Sequence, residues 1–222
     1  IDLYPSQVEK GKITNIDEIV KTLKEHFPNK YSIVLYICSD LIFNDINSLP
    51  KINFNRAVQL KNKEIKNDYD KYKENYKIIE NSYKYNLGIV FNDYFVPSEI
   101  INSFRQIAKG LNSKISKTHL YGEYLFSCLR KVIKNDYAFI YTRGSMATFI
   151  LANNSRLVSC WSFKCESAED VIKTFVLIIG KHELEIEKKV INEIYYDSEY
   201  ELSFGSYVSK KISLDEILQE SK

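Results

Sequence analysis

The sequence is poor in the residues that bend chains. Its 222 residues hold seven glycines and four prolines, which excludes a disordered or linker-rich chain. Four cysteines, Cys38, Cys128, Cys160 and Cys165, are too few for a disulfide scaffold and fit reduced thiols better. Cys38 and Cys128 sit in apolar runs and read as small buried hydrophobes. Cys160 and Cys165 form a C-x4-C in CWSFKC, but no second Cys or His pair follows at a zinc-binding distance, so no metal site is expected. An excess of one charge is also lacking: 31 Lys and Arg face 29 Asp and Glu. A net charge of +2 argues against a general nucleic-acid binder, which needs a concentrated basic surface. No apolar run approaches the ~20 residues needed to cross a bilayer. The best is FVLIIG at 175–180, and Lys173 lies just upstream.

Signatures of catalysis are missing too. There is no G-x-x-x-x-G-K-[ST], no G-x-G-x-x-G and no G-x-S-x-G elbow. His26, His119 and His182 are scattered, and HELE at 182 lacks the second histidine of a zinc protease. The chain opens on Ile1 rather than Met, so a preceding segment is expected.

What is present is a core and a regular alternation of elements. Hydrophobic residues make up 45% of the chain. Ile16, Ile19, Val20, Leu23 and Phe27 recur at the helical period, and Asn15 with Glu18 suggests a capping box. YSIVLYI at 31–37 is apolar on both faces, as in a central strand of a covered sheet. SLPKINFNRAVQLKNKEIKN reads as an extended turn running into a helix. YDKYKENYKII and YKYNLGIVF, joined by ENS, read as a hairpin. Pro97 opens a helix whose apolar face is Ile100, Ile101, Phe104, Ile107 and Ala108, with Gly110 as its C-terminal cap. A short strand at 114–118 precedes a helix with Leu120, Tyr124, Leu125, Cys128 and Leu129 facing inward. Three strands follow, at 137–142, 147–152 and 156–163, then a helix at 167–180 capped by Ser167 and Asp170. KKVINEIYY and VSKKISL are strands, and SLDEILQ is a last helical turn. Helices alternating with strands around an antiparallel meander predict an α/β fold with a mixed sheet.

This order resembles the actin-like (ribonuclease H-like) fold as used by PilM-type proteins of type IV pilus machines and by the cytoplasmic domain of GspL-type proteins of type II secretion. Local stretches carry the likeness. KGKITNIDEIVKTLKE is similar to the family's entry into its first helix. SIVLYICSDLIFNDINSLPK looks like the strand, polar turn, strand and Leu-Pro that follow. YFVPSEIINSFRQIAKGLNSKISKTHLYGEYLFSCLRKV looks like the long helix, Gly, short strand and second helix before the family's second hairpin. The resemblance spans roughly residues 11 to 215. It implies mixed sheets flanked by helices and three parts. These are a first actin-like subdomain at 1–50, a small inserted α/β subdomain at 51–96, and a second actin-like subdomain at 97–222.

The resemblance also frames the turn TRGSMAT. In the family this hairpin reads Asp-Ile-Gly, a small-residue loop and Thr. The Asp orients a magnesium-bound water, and backbone N–H groups approach phosphate. Here Gly144 matches the Gly and Thr148 the Thr, but Thr142 stands where Asp should be. A hydroxyl lacks the negative charge that holds Mg²⁺. No counterpart of the first Asp-Ile-Gly turn lies before residue 11, and YYDSEYELSFG is too bulky for the family's Gly-Gly turn beside adenine. The reading is a degenerate phosphate turn (Thr142, Gly144, Ser145, Thr148), with Ser145 the minority candidate to bind an anion. No cofactor and no enzymatic activity are expected.

The implied role is a cytoplasmic scaffold at the inner-membrane platform, binding the tail of a PilN-like membrane protein or fused to one, touching the assembly ATPase of the machine, and reaching the membrane indirectly, through that partner or a downstream helix. An alternative keeps ATP binding, with the first phosphate turn supplied from upstream. Residues 51–84 carry nine Lys or Arg and five acids, interleaved with Tyr69, Tyr72, Tyr76 and Tyr83. Stacking with basic residues can bind single-stranded nucleic acid. That reading trails two others: the tyrosines line a partner groove, or they cover the insert's own small core.

Overall fold

The computed structural model describes residues 8–9, 12–69, 72–85, 88–153, 156–186, 191, 193–205 and 207–220. Strands β1 (Val8–Glu9) and β2 (Lys12–Ile13) form a short antiparallel pair. Helix α1 (Ile16–His26), β3 (Ser32–Ile37) and β4 (Phe43–Pro50) follow, then α2 (Phe54–Tyr69), β5 (Tyr76–Tyr85), β6 (Gly88–Pro97) and α3 (Ser98–Gly110). Next come β7 (Lys114–Leu120), α4 (Tyr121–Val132), β8 (Tyr137–Arg143), β9 (Met146–Asn153), β10 (Arg156–Lys164) and α5 (Ala168–Ile186). The described chain ends on β11 (Glu193–Asp197), β12 (Val208–Lys211) and α6 (Leu214–Glu220).

The largest sheet has the order β10-β9-β8-β11-β12. Its first three strands are an antiparallel meander, and β11 and β12 extend it in parallel. Alternation along each strand sends residues to two faces. Ala138, Ile140, Phe149 and Leu151 meet Val171, Phe175 and Ile179 of α5. Phe139, Ile150 and Leu157 meet Leu125, Phe126 and Leu129 of α4 and Leu214 and Ile217 of α6. Covering both faces explains why these strands read as near-continuous apolar runs.

A second sheet pairs β3 with β7 in parallel. A third, of order β4-β6-β5, is antiparallel. One of its faces carries Ile89 and Phe91 against Ala57 of α2. The other carries Tyr94 and Val96 against Ile37, Ile100 and Leu120. Helices α1 and α3 run side by side in the same direction: the Ile13 amide donates to Ser103 Oγ at 3.3 Å, and a Cβ on Gly110 would lie 2.8 Å from Val20.

Several expectations need correction. β3 is not a central covered strand: it has one neighbour among the described strands, and Val34 and Tyr36 on its outer side are 42% and 46% exposed. The ENS triplet is not a turn but the middle of β5, where Glu80, Asn81 and Ser82 oppose Asp93, Asn92 and Phe91. Polar residues stand there because one face meets Lys61 and the other Glu123. The strand that the resemblance places before Leu-Pro is β4, but it runs on through Ser48, Leu49 and Pro50, read as the start of an extended turn, which pair with Val90, Ile89 and Gly88. Asn15 sits at φ 54 and its side chain makes no cap bond, so the capping box at α1 does not form. The box at α5 does: the Asp170 amide donates to Ser167 Oγ at 3.2 Å, and its carboxylate accepts from the Glu166 amide at 3.1 Å. Gly110 closes α3 for room rather than as a cap. The left-handed residue after it is Asn112, at φ 51. Cys128 is buried as expected, but Cys38, the residue after β3 ends at Ile37, is exposed.

Candidate functional site

The hairpin expected to hold phosphate is a two-residue turn. Arg143 pairs with Met146, leaving Gly144 and Ser145 at the tip, with Gly144 at φ 57. Its positive φ suits glycine. A Cβ there would meet nothing within 4 Å, so the glycine serves the turn and not a close approach. Ser145 offers its carbonyl inward, accepting from the Cys165 amide at 2.9 Å.

The two threonines of the turn do not meet. Thr142 is opposite Ala147, and Thr148 is opposite Tyr141, so they face opposite sides of the sheet. Thr142 is buried, and its hydroxyl is shared with Ser198 Oγ at 2.7 Å. Thr148, also buried, lies 3.2 Å from Ser162 Oγ and 3.5 Å from Cys38 Sγ. Both hydroxyls are therefore engaged by the protein itself. The segment after β11 is likewise occupied: Leu202 and Phe204 fold back into the core beside Phe175 and Tyr196.

On the Thr148 side a cleft separates the large sheet from β3 and the inserted sheet. It is lined by Ile42, Phe43, Tyr94, Tyr121, Cys160 and Ser162 among others. Its volume is about 20 Å³, room for about one water molecule, whereas small-molecule pockets start near 300 Å³. Aromatic and sulfur groups fill it. Tyr121 packs on Tyr141 with ring centroids 5.7 Å apart. Gly122 is required there, because any Cβ would collide with Cys160 Sγ. Burial pushes the Tyr121 hydroxyl and the Cys160 thiol well above their ordinary values, so both are neutral at physiological pH.

Glu123 is the group in this region that sequence reasoning missed. Its carboxylate accepts from Asn81 Nδ2 of β5, joining α4 to the inserted sheet. Burial pushes its pKa up to about 7, with the Asn81 amide acting the other way. The signal was legible: Glu123 is the only acid between Glu99 and Asp136, and it directly precedes the apolar run Tyr124, Leu125 and Phe126.

The four tyrosines divide. Tyr69, Tyr72 and Tyr76 converge on Phe43 and Phe95, with ring centroids 4.8 to 5.4 Å apart in the four contacts Tyr69–Phe95, Tyr72–Phe95, Tyr72–Phe43 and Tyr76–Phe43. All three are half-buried. Tyr83 stands on the other face of β5, beside Phe126, and its oxygen accepts from the Leu157 amide at 2.6 Å. Beneath α2 lies a polar group that the sequence did not announce. Lys61 Nζ sits 2.6 Å from Asp93 Oδ1, both buried, and Tyr69 OH donates to Asp93 Oδ2 at 2.8 Å.

A separate open cleft of about 930 Å³ runs between α4, α6 and the β11–β12 pair, lined by Ile133, Lys134, Tyr195, Asp197, Lys211 and Glu216 among others. It shares no residue with the turn. Among the described residues no group of three or more His, Cys, Asp or Glu is placed to hold a metal ion, and no helix is long and apolar enough to cross a membrane.

Three antiparallel strands extended by two parallel ones, with helices on both faces, define the ribonuclease H-like half of an actin-like fold, and the chain has that fold. It is similar to a solved PilM–PilN type IV pilus biogenesis complex, with TM-score 0.63 and 12% identity over 98% of this chain and 81% of that one. It is also similar to the cytoplasmic domain of EpsL, an inner membrane component of the type II secretion system of Vibrio cholerae, with TM-score 0.58 and 8% identity over 92% and 79%. A Bacteroides thetaiotaomicron protein with an actin-like ATPase fold and unknown function matches at TM-score 0.48 and 12% identity, over 82% and 66%. At these identities the likeness is one of fold. No family model and no curated protein matches the sequence.

Proposed function

We propose that the protein is a scaffold of a type IV pilus or type II secretion assembly platform, working at the cytoplasmic face of the inner membrane. It receives the short cytoplasmic segment of a PilN-like membrane protein and contacts the assembly ATPase, and it has no catalytic activity of its own. The observation that carries this reading is the fold shared along 98% of the chain with a PilM–PilN complex. A second observation accords with it: the cleft beside the Thr142–Thr148 turn has space for about one water, and the protein's own groups engage both threonines. The degenerate turn, with Gly144 and Ser145 at its tip, is then a structural hairpin.

The division at 50/51 and 96/97 belongs to the same proposal, with β4 carrying the first subdomain into the inserted sheet. So does the partner wall on the insert, formed by Tyr72 and Tyr76 with Phe43 between them. Tyr69 supports that wall from below, and Tyr83 fixes the insert to the second subdomain. Tyrosine suits a wall for an extended peptide because its ring gives contact area at low entropic cost and its hydroxyl can hydrogen-bond the peptide's polar groups. The test is capture of a synthetic peptide from the cytoplasmic tail of the PilN-like protein of the same cell, followed by calorimetry. Saturable binding weakened by Tyr72→Phe and Tyr76→Phe, which keep the rings packed, supports the wall. Binding indifferent to both moves the groove elsewhere, and no binding of any such tail overturns the scaffold reading.

A further inference from the structure

The end of the molecule where α1 and α3 finish carries an unbalanced charge. Between Ile19 and Ser39 the one acid is Glu25, against Lys21, Lys24 and Lys30. Between Glu99 and Glu123 there is no acid at all, against Arg105, Lys109, Lys114 and Lys117. The fold brings these two stretches together. The parallel packing of α1 on α3 makes both helices finish towards the same end, with the last residue of α3, Gly110, against Val20 of α1; the Tyr31 amide donates to Ser113 Oγ at 3.2 Å, and Ser32 pairs with Lys114. All seven cations are exposed, and none is in an ion pair within the described structure.

Two aromatic rings stand among them. Phe27 and Tyr31 are each 44% exposed and meet edge to face at 5.7 Å. Helix ends explain part of the charge, since Lys24 and Lys109 offset the negative ends of α1 and α3. They do not explain Lys30, Lys114 and Lys117, which lie on the connection and on β7, or two aromatic side chains left in water. Cations around exposed amphipathic rings match an anionic bilayer: the headgroups attract the lysines, and the rings enter the interface. Single-stranded nucleic acid is less well matched, because these rings pack edge to face and present no continuous row of open faces for stacked bases.

The geometry points to this end of the molecule, which carries Phe27 and Tyr31 with Lys24, Lys30, Lys109, Lys114 and Lys117, as a docking surface for a membrane carrying anionic lipids. The inference does not depend on the pilus reading, and its test uses no pilus component. The purified protein is sedimented with vesicles of phosphatidylglycerol mixed with phosphatidylcholine, and with vesicles of phosphatidylcholine alone. Binding is expected to the first and not the second, and to weaken as salt rises. Lys109→Glu, Lys114→Glu and Lys117→Glu combined should lower it about tenfold or more, while Lys77→Glu, an exposed control on β5, should leave it unchanged. A Phe27→Trp variant gives a local readout, its added emission shifting to shorter wavelength on the anionic vesicles. Equal binding to both vesicle types, indifference to the triple charge reversal, or unshifted emission overturns the proposal. Binding to single-stranded RNA in place of vesicles also overturns it, in favour of a nucleic-acid surface.

Discussion

Tyr76 and Tyr83 lie on one strand and face opposite ways. Tyr76 packs on Phe43 and Tyr72 under the inserted sheet, while Tyr83 reaches through to Phe126 and the Leu157 amide on the far side. An odd spacing along a strand always has this consequence. The tyrosines read together as one stripe therefore do two jobs, and the variants that test them must be kept apart. Tyr83→Phe removes the acceptor of a half-buried amide and should cost about 1–2 kcal/mol, read by urea denaturation. Tyr72→Ser with Tyr76→Ser removes two half-buried rings and should lower stability by at least that much. A double variant as stable as the parent would show that the rings carry no packing load.

Nucleotide binding gives the second test. Titration of Mg·ATP is expected to show no tight binding, because the hydroxyls of Thr142 and Thr148 are engaged and face opposite sides of the sheet. Thr142→Asp should not restore turnover. It puts a carboxylate where Ser198 offers a hydroxyl on the buried side, and should cost stability instead. Micromolar affinity for Mg·ATP would contradict the account.

The core gives the third. Leu129 is fully buried between α4 and the large sheet, and Leu129→Ala should destabilise by about 2–5 kcal/mol. Phe104 is only half-buried, so Phe104→Ala should cost less than full burial of a phenylalanine would imply. The helix faces were legible because an apolar period survives any context. Ile100, Ile107, Leu125 and Leu129 all face inward as read. The meander at 137–163 was legible because its strands are apolar on both faces and separated by short polar breaks. The inserted sheet was not, because its central rows are polar: Glu80 opposite Asp93 and Asn81 opposite Asn92 look like a turn until Lys61 and Glu123 are placed against them. The polar cluster beside the cleft was also beyond reading. Cys38, Thr148 and Ser162 are brought together from positions 110 and 124 residues apart by pairing that only the folded chain sets.

Glu123 makes stability depend on pH. Its pKa in the folded protein, about 7, lies above the ordinary value of 4.5. The fold therefore favours the protonated acid. That preference costs nothing below the unfolded value and becomes a growing penalty as pH rises from 4.5 towards 7. Glu123→Gln should remove the penalty, stabilising the protein by about 1–3 kcal/mol at pH 8 and hardly at pH 4, as measured by urea unfolding at each pH. The Gln oxygen keeps an acceptor for Asn81. A variant equally stable relative to the parent at both pH values would show that the carboxyl is not held protonated.

The pair Lys61–Asp93 supplies the last prediction. Asp93 is fully buried and Lys61 5% exposed, and they meet at 2.6 Å beneath α2. Two charges taken out of water lose several kcal/mol of hydration each, and their attraction recovers it only with good geometry. Here the geometry is good: Tyr69 donates to the second carboxylate oxygen at 2.8 Å, and the ammonium lies 5.3 Å from the centre of the Phe91 ring. Burial, and then Asp93 itself, drive the Tyr69 hydroxyl far above its ordinary pKa, so it stays a donor. Lys61→Met should leave the buried Asp93 carboxyl without its cation, at a cost of about 3–5 kcal/mol. Asp93→Asn alone should cost a similar amount, since it strands the lysine. The double change should cost clearly less than the sum, and the difference is the coupling that a double-mutant cycle reads. Strict additivity would mean that the two charges do not hold each other and that α2 is fixed to the sheet by its apolar contacts alone.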